Sequence, residues 1–247
     1  MVMALRLRIG GVAAVCAVTA LGLAGCTGGG ATAAGATASP ASTAHDVPSG
    51  KDLTGVLLKS ADVPTDFTEE AVGAQNSGAY LSVAAPTVDL GKADCNTVLN
   101  LINTVGQNRL GEASYASDAF TPPSGLGEFD ETLLEFHGGD ATTFTGRLGS
   151  ALNRCSDFKA TDDSGASQAA TVKVVAGPKV GDESVGFVVK VDIAGQTMVM
   201  NGTAVRVGTA VLVIDNSLLQ GQSTSIDLNK LAGTLVQRVG SLHAGGA

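Results

Sequence analysis

The sequence predicts an α+β domain: a twisted antiparallel sheet of about five or six strands with helices packed on one face. Three observations lead to this class. Apolar residues recur with helical spacing in several segments. Apolar and polar residues alternate over a long stretch that precedes the last of these helical segments. Glycines separate the consecutive strand-like segments. Strands connected by tight turns run antiparallel, and amphipathic helices must bury their apolar faces against them.

The expected helices each carry an apolar stripe with three- and four-residue spacing. They are residues 52–60, 94–105, 140–155 and 226–242. Asp94 stands where its carboxylate can cap the first turn of the second helix, and the third helix is expected to start at Asp140, after the break at Gly138-Gly139. Cys95 and Cys155 fall on the apolar stripes of these same helices, so both thiols are expected to face the core.

The expected strands show period-two alternation or short apolar runs bounded by turn residues. They are residues 80–84, 113–120, 131–136, 184–194, 197–207 and 210–215. In the fourth of these, Val185, Phe187 and Val189 alternate with polar or small residues, which is the pattern of a strand with one face in water. Gly195 and Gly208 turn the chain into the next two strands, so the last three are expected to form a meander.

The N-terminus has the three zones of an export signal in their usual order. Two arginines supply positive charge, residues 9–23 are apolar and small, and Leu23-Ala24-Gly25-Cys26 closes the segment. This tetrapeptide resembles a bacterial lipobox, at which the cysteine receives a diacylglycerol before cleavage on its N-terminal side. A transmembrane anchor is the alternative, but the apolar run is shorter than the roughly 18–20 residues that a span needs. Residues 1–25 are therefore predicted to be a signal peptide, and Cys26 the lipidated first residue.

Residues 26–50 are expected to form a flexible tether that starts at the lipidated cysteine. They are almost entirely Gly, Ala, Thr, Ser and Pro, which bury too little apolar area to offset the entropy of ordering. As a flexible coil of about 24 residues, the tether spans roughly 27 Å. Because two acyl chains anchor a protein stably, the membrane is an expected partner, and the predicted location is the outer face of the cytoplasmic membrane.

Residues 51–247 are long enough for a single domain with a sizeable core. The formal net charge of the chain is −8 and becomes −10 once Arg6 and Arg8 leave with the signal peptide. A domain this acidic does not neutralise phosphates, which excludes nucleic acid as an expected partner.

Cysteine use indicates one disulfide. Of the four cysteines, Cys16 leaves with the signal peptide and Cys26 carries lipid, so Cys95 and Cys155 remain in the folded domain. Two thiols in an oxidising compartment are expected to pair. The bond would join two helices and close a loop of about 60 residues.

The domain is poor in the groups that catalysis and metal binding need. Of the three histidines, His45 lies in the tether and His243 in the tail, which leaves His137 alone within the domain. A Ser-His-Asp or Cys-His set is therefore not expected, and the sequence has neither a Gly-x-Ser-x-Gly elbow nor a Cys-x-x-Cys pair. The protein is predicted to have no catalytic residue, no metal and no cofactor.

Several short segments follow one another in a recognisable order over about residues 53–239. They are Leu57-Leu58, Asp62-Val63-Pro64, Phe67, Cys95, Cys155, Phe158, Gly181-Asp182-Glu183-Ser184 and Val205-Arg206-Val207-Gly208. In this order they resemble the PknH-like extracellular sensor domain, a family found in actinobacteria on receptor kinases and on free lipoproteins. The resemblance implies an antiparallel sheet with a broad cleft, no enzymatic activity and an unidentified ligand at the cell envelope. The chain departs from the kinase sensor in having one cysteine pair instead of two and no attached kinase, which argues against direct signalling.

Three functions fit these observations. The leading hypothesis is a membrane-anchored, non-enzymatic binding or sensor module, whose ligand is a small molecule, a glycan, a lipid or an envelope protein. The runner-up is a lipid or glycolipid carrier, in which a curved sheet encloses an acyl pocket. From a different class, an envelope hydrolase that uses carboxylates is the third hypothesis.

A sheet with all its helices on one side needs polar residues or a partner on the other side. We therefore expect a ligand groove on the face opposite Phe187, to which the next strand contributes Met200 and Arg206 if the register is kept. A guanidinium suits an anionic ligand, although an ion pair with a nearby carboxylate is the alternative for Arg206. Tyr80 and Tyr115 are further candidate ligand-binding residues. On this hypothesis, changing Met200 and Arg206 together to Glu abolishes binding without unfolding the domain.

Overall fold

The computed structural model describes residues 47–81, 88–103, 110–122, 127–161 and 165–245. The predicted signal peptide, Cys26 and residues 27–46 of the predicted tether lie outside these ranges, so they remain predictions. In the described part of the chain, no helix is both long enough and apolar enough to cross a membrane.

The described residues form an antiparallel sheet of nine strands. The strands are β1 (Thr68–Glu69), β2 (Gln75–Asn76), β3 (Ser114–Thr121), β4 (Glu128–Glu135), β5 (Asp157–Thr161), β6 (Ser167–Val175), β7 (Glu183–Ile193), β8 (Gln196–Val207) and β9 (Ala210–Leu219). Their order across the sheet is β1-β3-β4-β9-β8-β7-β6-β5, and β2 pairs with β3 beside β1. The pairing of β4 with β9 joins the first and second halves of the domain.

Four helices accompany the sheet in the described ranges, and the predicted α+β class is confirmed. The helices are α1 (Gly50–Thr54), α2 (Cys95–Asn103), α3 (Asp140–Asn153) and α4 (Leu228–Gly245). Asp94 caps α2 as expected: its Oδ1 accepts a 2.7 Å hydrogen bond from the Thr97 N–H, and this bond lowers the pKa of Asp94. Helix α1 begins at a capping box formed by Ser49 and Asp52 and ends well before residue 60, where it was expected to end.

The predicted number of five or six strands is wrong, because four strands gave no clear signal in the sequence. Strands β1 and β2 have two residues each, which is too short to show alternation. Strand β5 has one large apolar residue, Phe158, and the first half of β6 consists of small or polar residues that precede its three valines. In the predicted strand at 80–84, residues 80 and 81 are not in a strand, and residues 82–84 lie outside the described ranges.

The prediction that helices cover one face of the sheet is also wrong, since helices pack on both faces. On β9, Val211 and Val213 point into the core that contains α3, whereas Leu212 and Ile214 point into the core that contains α4. We call these two sides the α3 face, on which α2 and α3 pack, and the α4 face, on which α1 and α4 pack. A strand that is buried on both sides is apolar at consecutive positions, and β9 accordingly begins Ala-Val-Leu-Val-Ile.

Candidate functional site

The predicted disulfide between Cys95 and Cys155 is present, and it fixes one end of α2 to the end of α3. The two Cα atoms are 5.3 Å apart, and Cys155 is buried. Arg154 makes a second connection, because its Nη2 donates a 2.6 Å hydrogen bond to the carbonyl oxygen of Leu90, shortly before α2. The segment that enters α2 is therefore held to α3 by a covalent bond and a charged hydrogen bond.

A small apolar pocket lies between these two helices and the α3 face of the sheet. Its empty space is about 260 Å³, including the part that is open to solvent. It is lined by Leu90, Leu101, Ile102, Leu110, Phe144, Leu148 and Val213. Because all of these side chains are apolar, the pocket can accept an apolar group but offers no side-chain hydrogen bond to orient it.

The structure places Met200 on the α3 face, under helices, and not on a helix-free face. Met200 is the direct partner of Val189 in the pairing of β7 with β8, and directly opposed residues of an antiparallel pair share a face. It is half-buried and packs against the core beneath α3. The expected register was wrong, because a two-residue turn pairs Ile193 with Gln196 and so brings the even-numbered residues of β8 beside the odd-numbered residues of β7.

Arg206 lies near the end of β8, where carboxylates engage it. Its Nη1 is 3.0 Å from Oδ2 of Asp182, and its Nε is 3.7 Å from Oε2 of Glu183. The same Asp182 oxygen accepts a 2.8 Å hydrogen bond from the Gly208 N–H, so it connects the β6–β7 loop to the β8–β9 turn. The ion pair is the alternative that the sequence left open for Arg206, and binding of an anionic ligand by this side chain stays a prediction.

The two tyrosines have structural contacts of different kinds. The hydroxyl of Tyr80 donates a 3.0 Å hydrogen bond to the carbonyl oxygen of Val47, which holds the first described residue. Tyr115, on β3, is half-buried and packs against the core of the α3 face. Ligand binding by Tyr80, Tyr115 or Met200 stays a prediction.

Glu131 is a fully buried acid on the α4 face. It lies on β4 between Phe129 and Leu133, which belong to the core beneath α4, and it is 0% exposed. Its Oε1 accepts a 2.8 Å hydrogen bond from the Leu58 N–H, whereas its Oε2 has no partner among the described residues. Burial raises the pKa of Glu131 to about 8, against the hydrogen bond from Leu58, because an ionised carboxylate here would lose its hydration with no donor at Oε2 to replace it. Glu131 is therefore mostly protonated at neutral pH.

Asp118 lies directly opposite Glu131 on β3. The pKa of Asp118 is raised to about 6, mainly by burial. A 2.8 Å hydrogen bond from the Ala119 N–H lowers this pKa, and the neighbouring carboxyl of Glu69 raises it further. Glu70, the residue after β1, is also buried and also raises the pKa of Asp118. The acids thus form a connected set across β4, β3 and β1.

Arg238, on α4, holds the segment that precedes β1. Its Nη2 donates hydrogen bonds of 2.8 and 2.9 Å to the two carboxylate oxygens of Asp62. Its Nη1 donates a 2.8 Å hydrogen bond to the carbonyl oxygen of Leu57. These three charged hydrogen bonds fix the segment to α4 on the same face as Glu131.

Asp215 is a buried acid on the α3 face, and it lies directly opposite Asp130 of β4. It is 6% exposed, and burial, together with repulsion from Glu128, raises its pKa to about 7. Although acids gather here and on the α4 face, no group of His, Cys, Asp and Glu side chains within the described ranges is placed to hold a metal ion.

His243 lies in the last turn of α4, where the sequence interpretation had placed it in a tail. Its Nε2 is 2.6 Å from Oε1 of Glu135, a carboxylate that is 0% exposed. This hydrogen bond raises the pKa of His243. The pair therefore stabilises the folded state fully at pH values below the ordinary histidine pKa. This stabilisation is lost as the pH rises through the raised pKa of His243.

Sequence reasoning missed the buried acids Glu131, Asp118 and Asp215. A signal was available, since each stands where the alternation of its strand calls for an apolar residue. Glu131 lies between Phe129 and Leu133, and Asp118 lies between Ala116 and Phe120. An acid at an inward-facing position of a strand is rare unless it is paired or protonated.

We expect the double substitution Met200→Glu and Arg206→Glu to destabilise the domain, in contrast to the expectation from the sequence. A glutamate at 200 would lie against the core beneath α3, and one at 206 would face Asp182 and Glu183. The expected loss is about 2–4 kcal/mol, or roughly 5–15 °C in the thermal midpoint. Circular dichroism melts measure it, with Arg206→Gln as the control. A thermal midpoint equal to that of the native protein would indicate that the side chain of Met200 is exposed, as the sequence analysis expected.

Comparisons with known proteins show a likeness in fold. The extracellular domain of PknH from Mycobacterium tuberculosis superposes with a TM-score of 0.55 and 12% sequence identity, over 80% of this chain and 97% of that domain. A putative uncharacterized protein from Mycobacterium smegmatis gives a TM-score of 0.40 and 11% identity over 78% of this chain and 95% of that protein. No protein-family model and no curated protein sequence matches the chain. The chain therefore has a PknH-like fold, as the resemblance in the sequence implied.

Proposed function

We propose that this protein is a lipid-anchored, non-enzymatic ligand-binding or sensor module that works outside the cytoplasm. The observation that carries the proposal is the fold shared with an extracellular domain over 80% of the chain. The Cys95–Cys155 disulfide supports it, because such bonds persist in oxidising compartments and are rare in the cytosol. The lipobox at Cys26 supplies the anchor in this proposal.

The apolar pocket between α2 and α3 is the ligand site in this proposal. The cavity volume that can be compared with known ligand sites is about 10 Å³, far below the roughly 300–1,000 Å³ of sites that enclose a drug-sized ligand. As described, it has room for a group about the size of one water molecule, such as the terminal methyl of an acyl or isoprenoid chain, rather than for a whole lipid. For this reason we favour recognition of an apolar portion of a ligand over carriage of an enclosed lipid.

An envelope hydrolase remains the third hypothesis, and the burial of the acids argues against it. Glu131 is 0% exposed and Asp215 is 6% exposed, so neither carboxyl can meet a polymeric substrate without rearrangement. A pair of catalytic carboxyl groups must flank the bond that is cleaved.

We expect Leu110→Trp to weaken binding of an apolar probe at least tenfold, because the indole would occupy the mouth of the pocket. Leu110 is only partly buried, so a larger side chain is tolerated there. The measurement is a fluorescence titration with N-phenyl-1-naphthylamine, and the native chain has no Trp to interfere. The matched control is Val72→Trp, at an exposed position outside the pocket lining, which should bind the probe as the native protein does. If the native protein does not bind the probe, the pocket is not the ligand site.

For the anchor, we expect Cys26→Ser to give an unacylated protein that leaves the detergent phase in Triton X-114 partitioning. Serine cannot form the thioether that attaches the diacylglycerol, and two acyl chains account for stable membrane binding. Mass spectrometry of the N-terminal peptide checks acylation, and Cys95→Ser, which should keep its lipid, is the control. A Cys26→Ser protein that still carries acyl chains would contradict the lipobox interpretation.

A further inference from the structure

The α4 face holds a connected set of acids that the proposed ligand pocket, on the α3 face, does not use. The set consists of Asp62, Glu69, Glu70, Asp118 and Glu131, and the guanidinium of Arg238 interacts with Asp62 and Glu131 at one side of it. Arg238 is already paired with Asp62, so it cannot neutralise the other carboxyl groups as well. Among these groups, Glu131 is 0% exposed and Asp118 is 8% exposed. Because neither water nor a cation of the described residues can neutralise both carboxyl groups, they stay neutral by binding protons.

Residues 57–62 lie over this set and are attached to the domain at both ends of the segment. The Leu58 N–H donates to Glu131 on the sheet, and Arg238 of α4 binds the Leu57 carbonyl oxygen and the Asp62 carboxylate. Leu57 and Leu58 are each 2% exposed and belong to the same core as the neighbours of Glu131 on β4, whereas residues 59–61 are exposed. We call residues 57–62 the latch segment.

We propose that the domain responds to protons: the latch segment is closed over Glu131 and Asp118 while both are protonated, and it opens when they ionise. This response is independent of the ligand pocket on the α3 face. The geometry that carries it is a buried carboxyl oxygen, Oε2 of Glu131, with no partner among the described residues, placed directly across from a second acid.

Ionisation of Glu131 requires water to reach Oε2, because no described residue donates a hydrogen bond to it. Leu58 occupies the other carboxyl oxygen, so movement of the latch segment is the route that we assign to the entry of water. A charge on Asp118, directly opposite, adds repulsion between like charges. Movement of the latch segment relieves both costs by hydrating the two carboxylates.

The charged groups that surround Glu131 fix the direction of the response. Asp118 faces it from β3, Glu69 and Glu70 flank Asp118 at β1, Asp62 lies in the latch segment, and Arg238 comes from α4. Further along the same face of β4, Glu135 is paired with His243. Burial raises the pKa of Asp118 from 3.8 to about 6 and that of Glu131 from 4.5 to about 8. The folded state thus binds extra protons, and its stability falls as the pH rises through these two values.

The test is hydrogen–deuterium exchange of the full chain, followed by mass spectrometry, at about pH 5 and about pH 8.5. After correction for intrinsic exchange rates, we expect the protection of residues 57–62 in the native protein to fall at least tenfold between the two. In Glu131→Gln the amide oxygen still accepts from Leu58 but the side chain cannot ionise, so the fall in protection should shrink to the part near pH 6 that Asp118 contributes. Glu183→Gln is the matched control on the other face, and it should follow the native protein.

Protection of residues 57–62 that is the same at both pH values in the native protein would overturn the proposal. A Glu131→Gln protein that keeps the native pH dependence would overturn it too. Should Glu131→Gln not fold, Asp118→Asn takes its place, and it should remove the part of the response that occurs near pH 6. Carbon-13 NMR of the carboxyl groups in the native protein gives an independent readout, in which a titration of Glu131 at the ordinary 4.5 would contradict the latch.

Discussion

Replacing Cys95 and Cys155 together with serine is expected to lower the free energy of unfolding by about 4 kcal/mol. The bond closes a loop with a sequence separation of 60 residues, and the chain-entropy model assigns about this value to a loop of that length. A single domain is stable by only about 5–15 kcal/mol in total, so the loss is a large fraction. Urea unfolding monitored by circular dichroism measures the difference between the native protein and the variant.

The same experiment has an internal control in the native protein. Reduction with dithiothreitol should destabilise it to the same extent as the double substitution, and it should leave the double variant unchanged. Before reduction, thiol labelling of the unfolded protein should find neither Cys95 nor Cys155 free. A native protein that labels at both positions would contradict the disulfide in the secreted form.

Gly202→Ala is expected to destabilise the domain by about 1–3 kcal/mol, although alanine is among the smallest possible changes. A Cβ at position 202 of β8 would overlap the ring of Phe187 on β7 and would lie 3.1 Å from Cβ of Asp215 on β9. Phe187 is 0% exposed, so its ring has no free space into which it can move. Thermal and urea unfolding both report the loss.

Gly146→Ala is the matched control for this substitution. Gly146 is exposed in α3, and a Cβ there meets no atom within 4 Å. Because alanine favours a helix over glycine, this variant should be more stable than the native protein by about 0.5–1 kcal/mol. Adding Phe187→Leu to Gly202→Ala should recover part of the stability if the ring is the cause. A Gly202→Ala protein as stable as the native one would show that β7 and β8 pack less closely than described.

The sequence predicted the elements with long, regular patterns and failed on the relations between them. The meander of β7, β8 and β9 and the starts of α2 and α3 were expected close to where they lie. The face on which Met200 lies was not predicted correctly, although the length of the turn determines that face. A two-residue hairpin turn places Ile193 opposite Gln196, and every later pair of β7 and β8 follows from this one. Register was therefore present in the sequence as a count of turn residues rather than as a hydrophobic pattern.

The arrangement of helices on both faces also had a signal that the prediction did not use. Five consecutive apolar residues at the start of β9 indicate a strand covered on both sides, whereas the alternation in β7 indicates a strand with one wet face. The small pocket and the contacts that cover Glu131 could not be predicted in this way. They depend on which side chains of distant segments meet, such as Leu58 and Glu131, and local spacing carries no information about that contact.

The position of β5 at the end of the sheet has a consequence for solubility. One side of this strand has no partner strand in the described sheet, and unpaired backbone groups at a sheet edge can recruit a strand from another molecule. Two features oppose such aggregation: β5 is only five residues long, and the exposed Lys159 stands at its centre. The lysine has to be desolvated before a second chain can pair with this edge, so its charge protects the strand in a way that its length alone does not.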